Sequence, residues 1–170
     1  MDWELKAGEV LTKAKMDKRT PITKIKTAPQ TISSSITLVD DNHLFAEVEA
    51  NAVYRVILNL KMYGPTAGDL RVSWSVPSGT SAGSRHCFGA ATGVSSARDT
   101  LIRATRNNWT DVVPYGTDTA STTARNHVYE DNLLKTGGSA GTLQLRWAQN
   151  SSSASTTTVA DGMLVVRRLA

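Results

Sequence analysis

The stretch AVYRVILNLKMYGPTAGDLRVSWSVP, residues 52–77, indicates the fold more clearly than any other part of the chain. Its first half alternates between apolar side chains at even-numbered positions and mostly polar ones at odd-numbered positions. After Gly64 and Pro65 the alternation resumes with the same parity. The apolar positions are Tyr54, Val56, Leu58, Leu60, Met62, Leu70, Val72, Trp74 and Val76. Strict alternation is typical of half-buried β-strands, and a short loop with Gly and Pro between two such strands predicts a β-hairpin.

Shorter runs of apolar and β-branched residues on both sides of this stretch predict further strands. These runs cover residues 31–39, 44–49, 85–91, 100–105, 109–113, 128–135, 142–149 and 163–169. Asp40-Asp41-Asn42 and Pro114 are expected to end the strands that precede them, and 78–84 is expected to be a loop. Residues 117–124 are predicted to form a loop or a polar edge. Roughly eight to ten short strands separated by turn residues predict an all-β fold, an antiparallel β-sandwich that is jelly-roll-like.

Residues 1–30 differ in composition from the rest of the 170-residue chain and are predicted to be an extended N-terminal arm. From Lys6 to Lys26 this segment has seven Lys and Arg residues against two acidic ones. Residues 9–18 are expected to form at most a short helix, and the prolines at 21 and 29 favour extended backbone before them. The sequence therefore predicts two parts, a docking arm at 1–30 and a β-sandwich domain at 31–170.

The composition excludes several classes of protein. The single cysteine, Cys87, permits no intramolecular disulfide and no cysteine-based metal site. The first residues, MDWELKAGEV, contain no apolar signal-peptide region, and no run approaches the roughly 18 apolar residues that a transmembrane helix requires. We therefore expect assembly in a cytoplasm and no membrane partner.

Residues that could support catalysis or bind a metal occur without a recognisable motif. Asp40, Asp41 and His43 could bind a metal, but adjacent Asp residues are also good turn formers and the spacing is not that of a calcium loop. His86 and Cys87 would face opposite sides of a strand, so they cannot pair simply as base and nucleophile. A pair of catalytic carboxylates that meet only in the fold leaves no mark in a sequence. The sequence predicts no enzyme, no cofactor and no metal site.

The basic arm suggests either a nucleic-acid contact or a protein contact. Apart from Trp3 it has no aromatic residue for base stacking, and it has no Arg-rich run, so we expect it to dock on an acidic protein surface rather than on nucleic acid. Trp109 and Tyr115 are the candidate ligand contacts, because an exposed aromatic ring could stack on a sugar of a host-surface glycan.

Two parts of the chain resemble known proteins. WELKAGEVLTKAKMDKR, residues 3–19, resembles the W-x-x-x-x-G-E-V-L-T opening of tailed-bacteriophage structural proteins, but Lys13 and Asp17 depart from the usual Ala and Asn. The remainder is similar to a β domain of structural proteins from phages that infect actinobacteria. Gly68-Asp69-Leu70, Val76-Pro77-Ser78-Gly79 and Trp147-Ala148-Gln149-Asn150 carry that similarity.

The resemblance implies a bacteriophage virion structural protein without an active site. Such a protein would be a capsid decoration, a minor tail protein or a small collar appendage, commonly a homotrimer, assembled in the host cytoplasm with other virion proteins. A receptor- or carbohydrate-binding module of the virion is the alternative. The arm residues expected to dock on the particle are Trp3, Leu5, Val10, Leu11, Lys13, Lys15, Lys18, Arg19, Lys24 and Lys26.

Overall fold

The structure, a computed structural model, describes residues 7–8, 10, 12–13, 16, 20–94, 99–118 and 125–170. From residue 20 onward, the regular elements of the described residues are all strands, as the sequence predicts. They are β1 (Ile22–Ile25), β2 (Gln30–Ile32), β3 (Val39–Val48), β4 (Val53–Tyr63), β5 (Leu70–Ser75), β6 (Ser81–Ala90), β7 (Leu101–Arg106), β8 (Val113–Tyr115), β9 (Asn126–Lys135), β10 (Gly141–Ala148) and β11 (Thr157–Arg168).

The strands form two antiparallel sheets, which confirms the predicted sandwich. One sheet has seven strands in the order β1-β11-β4-β9-β6-β7, with β2 also paired to β11, and the other has the order β3-β10-β5-β8. Among the strands of the described residues from β3 onward, only β6 and β7 are neighbours both in sequence and in a sheet. Every other connection in this part of the chain crosses from one sheet to the other, as in a jelly roll.

The core lies between the two sheets and is built from the alternation that the sequence shows. Leu58, Leu60 and Met62 of β4 are 0% exposed, and so are Leu143 and Leu145 of β10 in the facing sheet. Because successive side chains of a strand point to opposite faces, the same alternation leaves the odd-numbered side chains of β4 on the outside.

The predicted hairpin between β4 and β5 is wrong, although both strands exist. β4 pairs with β11 and β9, whereas β5 pairs with β10 and β8, so the two strands lie in opposite sheets. The connection turns at Asp69, which has a left-handed φ of 48°. The Oγ1 of Thr157 donates to the Asp69 carbonyl at 3.2 Å, and Asp69 Oδ1 accepts from the backbone N–H of Thr117 at 2.8 Å. Residues distant in sequence thus hold the loop that carries the chain across.

Several predicted strand limits are also wrong. The strand expected at 31–39 ends at Ile32, and Asp41 lies within β3 because its carboxylate caps a bulge there, accepting from the backbone N–H groups of His43 and Leu44. Residues 109–112 are not a strand, and Pro114 lies inside β8, which an edge strand tolerates. β6 begins at Ser81, inside the predicted loop.

The last part of the predicted arm pairs with the sandwich. β1 pairs with β11 from Ile22 opposite Val166 to Ile25 opposite Met163. The predicted short helix at 9–18 lies mostly outside the described residues. Within them, the N–H of Met16 donates to the carbonyl of Thr12 at 3.0 Å, a helical i to i−4 spacing. No helix in the described part of the chain is long and apolar enough to cross a membrane.

Candidate functional site

A group of polar and ionisable side chains surrounds a buried ion pair in the core. Arg85 of β6 and Glu130 of β9 approach to 2.9 Å, and both side chains are 0% exposed. Glu130 also accepts hydrogen bonds from Trp74 Nε1 at 3.1 Å, Tyr115 Oη at 2.9 Å and Asn132 Nδ2 at 3.0 Å. We call these five residues the Glu130 cluster.

Arg85 and Glu130 keep each other ionised although both are buried. Burial alone would raise the pKa of Glu130, but the adjacent guanidinium and the donated hydrogen bonds outweigh it and leave that pKa below its ordinary value. Burial alone would lower the pKa of Arg85, and the charge of Glu130 raises it instead. Burial, followed by the nearby carboxylate, raises the pKa of Tyr115 as well. At neutral pH the cluster therefore holds one carboxylate, one guanidinium and a neutral phenol.

The residue types of the Glu130 cluster occur in catalytic sites, but Arg85, Glu130 and Tyr115 are not exposed to solvent. The second side of the guanidinium is also occupied, because Arg85 Nη1 donates to the carbonyls of Trp109 at 3.0 Å and Asp111 at 2.6 Å. Cys87 is buried nearby, and burial raises the pKa of its thiol to about 11. These groups bind one another and the chain, so their evident work is to join β6, β9 and the 109–111 segment.

The two candidate ligand contacts lie in this core, so the prediction that their rings are exposed is wrong. Trp109 is 3% exposed and packs edge-on against Trp74, with ring centroids 5.6 Å apart. Tyr115 is 0% exposed and its hydroxyl binds Glu130. Neither ring offers a face to a sugar at the surface.

Asp41, one of the two acidic residues in the candidate metal site at 40–43, pairs with a lysine of the predicted arm. Lys26 Nζ lies 2.7 Å from Asp41 Oδ2, and both side chains are 0% exposed. Asp40 turns outward and pairs with Arg146 at 3.0 Å. Among the described residues, no three His, Cys, Asp or Glu side chains are grouped as metal ligands would be.

The predicted docking residues divide between the sheet, the exposed arm and the undescribed part of the chain. Lys26 is buried, and Lys24 lies over the ring of Phe45 with 5.5 Å between Nζ and the ring centroid. Val10 is 77% exposed, and Lys13 is exposed. The other predicted docking residues, Trp3, Leu5, Leu11, Lys15, Lys18 and Arg19, lie outside the described residues.

The outward side of the seven-stranded sheet is a second candidate site, and we call it the outer face. One row of residues in register crosses it and carries apolar or aromatic side chains on β1, β11, β9 and β6. That row is Ile25, Met163, Asn59, Tyr129, Phe88 and Arg103, from β1 to β7. Ile25 is 63% exposed, and Met163, Tyr129 and Phe88 are each 37–39% exposed.

A depression with a volume of about 460 Å³ lies on the outer face across β4, β9 and β6. Phe88, Tyr129 and Leu133 form its apolar part, and Arg55, His86 and Asp131 form its polar part. We call it the outer-face depression. Parity along β6 and β9 could have found it, because the residues that alternate with the buried Cys87 and Val128 must point outward.

Comparisons with known proteins identify no family. No protein-family model matches the chain, and no curated protein matches it. Among solved structures it is similar to a chain of the tripod (BppUct-A-L) from the baseplate of bacteriophage Tuc2009, at 10% identity and a TM-score of 0.34. That match covers 98% of this chain and 73% of the tripod chain.

Two further similar structures come from infectious bursal disease virus. For the Gx strain the identity is 11%, the TM-score is 0.21, and the match covers 89% of this chain and 37% of that one. For the VP2 subviral particle the identity is 9%, the TM-score is 0.21, and the coverage is 88% and 42%. This chain thus spans about two fifths of those viral chains. All three structures are of virus or phage particles, but with TM-scores of 0.34 or less they support no conclusion about fold or function.

Proposed function

We propose that the chain is a non-enzymatic structural component of a bacteriophage particle, a capsid decoration or a small tail or collar appendage. Its N-terminal arm docks on another particle protein, and its β-sandwich associates with two further copies. The sequence resemblance at residues 3–19 and in the β domain supports the class of protein. The structural support comes from the contrast between the arm and the strand that follows it.

The observation that carries the docking proposal is an exposed arm attached to a firmly held strand. Every described residue from 7 to 20 is exposed, including the apolar Val10 at 77% and Met16 at 53%. The following strand, β1, is paired with β11 and fixed to β3 by the buried ion pair between Lys26 and Asp41. Covering exposed apolar side chains with a partner removes them from water and lowers the free energy. This arrangement therefore suits an anchor.

Self-association is supported by the apolar end of the outer face. Ile25 is 63% exposed and lies directly opposite Met163, which is 38% exposed. Ile25 lies on β1, the strand that follows the arm, so copies that meet there would bring their arms to the same side of the assembly. A closed cyclic trimer is the simplest assembly that agrees with the phage resemblance.

Docking is tested by deleting residues 2–20 and measuring incorporation into particles assembled in infected cells. The deletion should end at residue 20, because a deletion to residue 30 also removes Lys26 and leaves Asp41 buried without its cation. The truncated protein should fold with the far-UV circular dichroism of the full chain yet be absent from purified particles. Normal incorporation of the truncated protein would refute a docking role for the arm.

The trimer is tested separately by native mass spectrometry of the isolated protein. We expect three copies for the natural chain and one copy for Ile25→Lys, which places a charge in the proposed contact. Leu101→Lys is the matched control, because Leu101 is 77% exposed in β7 at the opposite edge of the same sheet. A monomeric natural chain, or equal behaviour of the two variants, would contradict the proposed contact.

A further inference from the structure

The outer-face depression contains a pair of aromatic rings that the core does not use. Phe88 and Tyr129 lie directly opposite each other on β6 and β9, with ring centroids 6.2 Å apart and planes inclined by 43°. Each residue is close to two-fifths exposed. The guanidinium of Arg103 lies 5.8 Å from the centroid of Phe88 and supports that ring from β7. The two rings contact neighbouring side chains but remain partly exposed to solvent, and together they form an apolar platform.

A prealigned polar pair stands next to this platform. Arg55 Nε donates to Asp131 Oδ1 at 2.9 Å and Arg55 Nη2 donates to Oδ2 at 2.6 Å, a bidentate geometry that fixes both planar groups. His86 lies directly opposite Asp131 across the β6–β9 pairing. The hydrogen bonds and charge of Arg55 hold the pKa of Asp131 below its ordinary value. The depression therefore offers fixed donors and acceptors beside an apolar surface.

Size and charge narrow the class of ligand. The volume of about 460 Å³ lies within the range of about 300–1,000 Å³ typical of small-molecule sites. Because Arg55 and Asp131 already neutralise each other, a ligand of either charge would have to compete with this pair for its counter-ion. A ligand that suits both parts of the site has an apolar face for the rings and neutral hydroxyl groups that both donate and accept.

We propose that the outer-face depression is a binding site for a neutral carbohydrate. The C–H face of a hexose ring stacks on Tyr129 and Phe88, and its hydroxyls donate to Asp131 and accept from Arg55. This activity goes beyond a structural role in a particle and does not depend on it. It also assigns the recognition of sugars to residues other than the buried Trp109 and Tyr115.

The test is an NMR titration of the full chain with maltose, cellobiose and lactose, followed through its backbone amides. We expect at least one of these neutral disaccharides to bind with a Kd on the order of millimolar and to shift amides of β6 and β9. Tyr129→Ala and Phe88→Ala should each weaken that binding by about tenfold. Tyr129→Phe keeps the ring and should retain most of it.

Two controls keep the result specific. Phe45→Ala removes a ring of similar exposure, 38%, from the opposite sheet and should leave binding unchanged. Glucuronate and glucosamine carry the charges that the site disfavours and should bind more weakly than the neutral sugars. Binding of none of the three disaccharides, or tighter binding of a charged sugar, would overturn the proposal. So would variants at Phe88 or Tyr129 that leave sugar binding unchanged but lower the number of copies in the assembly, because the depression itself would then be a contact between copies.

Discussion

Replacing Glu130 by Gln should be one of the most damaging single substitutions in the chain. The carboxylate accepts hydrogen bonds from Trp74, Arg85, Tyr115 and Asn132, and its removal leaves the guanidinium of Arg85 charged at a site with 0% exposure. Breaking one partner of a buried ion pair costs about 3–5 kcal/mol. Since domains are stable by about 5–15 kcal/mol, the loss is a large fraction of the total. For a chain of this size it corresponds to a fall in Tm of about 6–20 °C.

The assay is urea unfolding followed by tryptophan fluorescence, with Trp74 in the Glu130 cluster and Trp109 packed against it as reporters. Glu47→Gln is the matched control: Glu47 is exposed on β3 and accepts a hydrogen bond from the Thr142 hydroxyl at 2.7 Å. The control should change the free energy of unfolding by no more than about 0.5 kcal/mol. A loss below about 1 kcal/mol for Glu130→Gln would refute the importance of the buried pair.

The same substitution has a pH signature. Because the pKa of Glu130 is lower in the folded chain than its ordinary value of 4.5, its contribution is fully present above that value. The contribution disappears as the pH falls through the lowered pKa, where the folded carboxylate finally binds a proton. The stability difference between the natural chain and Glu130→Gln should therefore shrink below pH 4.5. A difference that stays constant, or grows, in acid would contradict the ion-pair argument.

Three further predictions follow from buried contacts elsewhere in the structure. Asp41→Asn leaves Lys26 charged and buried without a counter-ion and should cost about 3–5 kcal/mol in urea unfolding; a loss under about 1 kcal/mol would show that the pair is dispensable. Gly137→Ala should reduce Tm clearly because its Cβ would lie 2.0 Å from a backbone oxygen, whereas Gly138→Ala meets nothing within 4 Å; equal Tm values would contradict this packing. Cys87, buried with its pKa raised to about 11, should react with a thiol reagent only after unfolding in guanidinium, and rapid labelling of the folded chain would disprove its burial.

The sequence predicts the strands of this protein well because side-chain direction within a strand is a local property. The even-numbered apolar residues of β4, such as Leu58 and Leu60, are all buried as the alternation requires. The choice of partner strand is not local. After β4 the chain crosses to the other sheet, and Thr117 and Thr157, far along the sequence, hold the crossing loop at Asp69.

The candidate sites were less predictable for the same reason. Glu130 shares its parity with the apolar Val128 and Leu134 of β9, so the pattern places a carboxylate in the core, but nothing in the sequence identifies Arg85 as its partner. Trp109 carries no alternation of its own, and only the fold shows that it packs against Trp74. Within the predicted arm, the short strand β1 is held by its pairing with β11 and by the ion pair of the adjacent Lys26 with Asp41, and no local pattern indicates either partner.

The most direct test of the proposed structural role is quantitative mass spectrometry of purified particles from infected cells. If the protein is a docked component, the full chain should be present at a fixed copy number per particle that is a multiple of three, and the chain lacking residues 2–20 should be missing. Absence of the full chain from the particles would contradict the proposal outright, whatever the isolated protein's oligomeric state or its affinity for sugars.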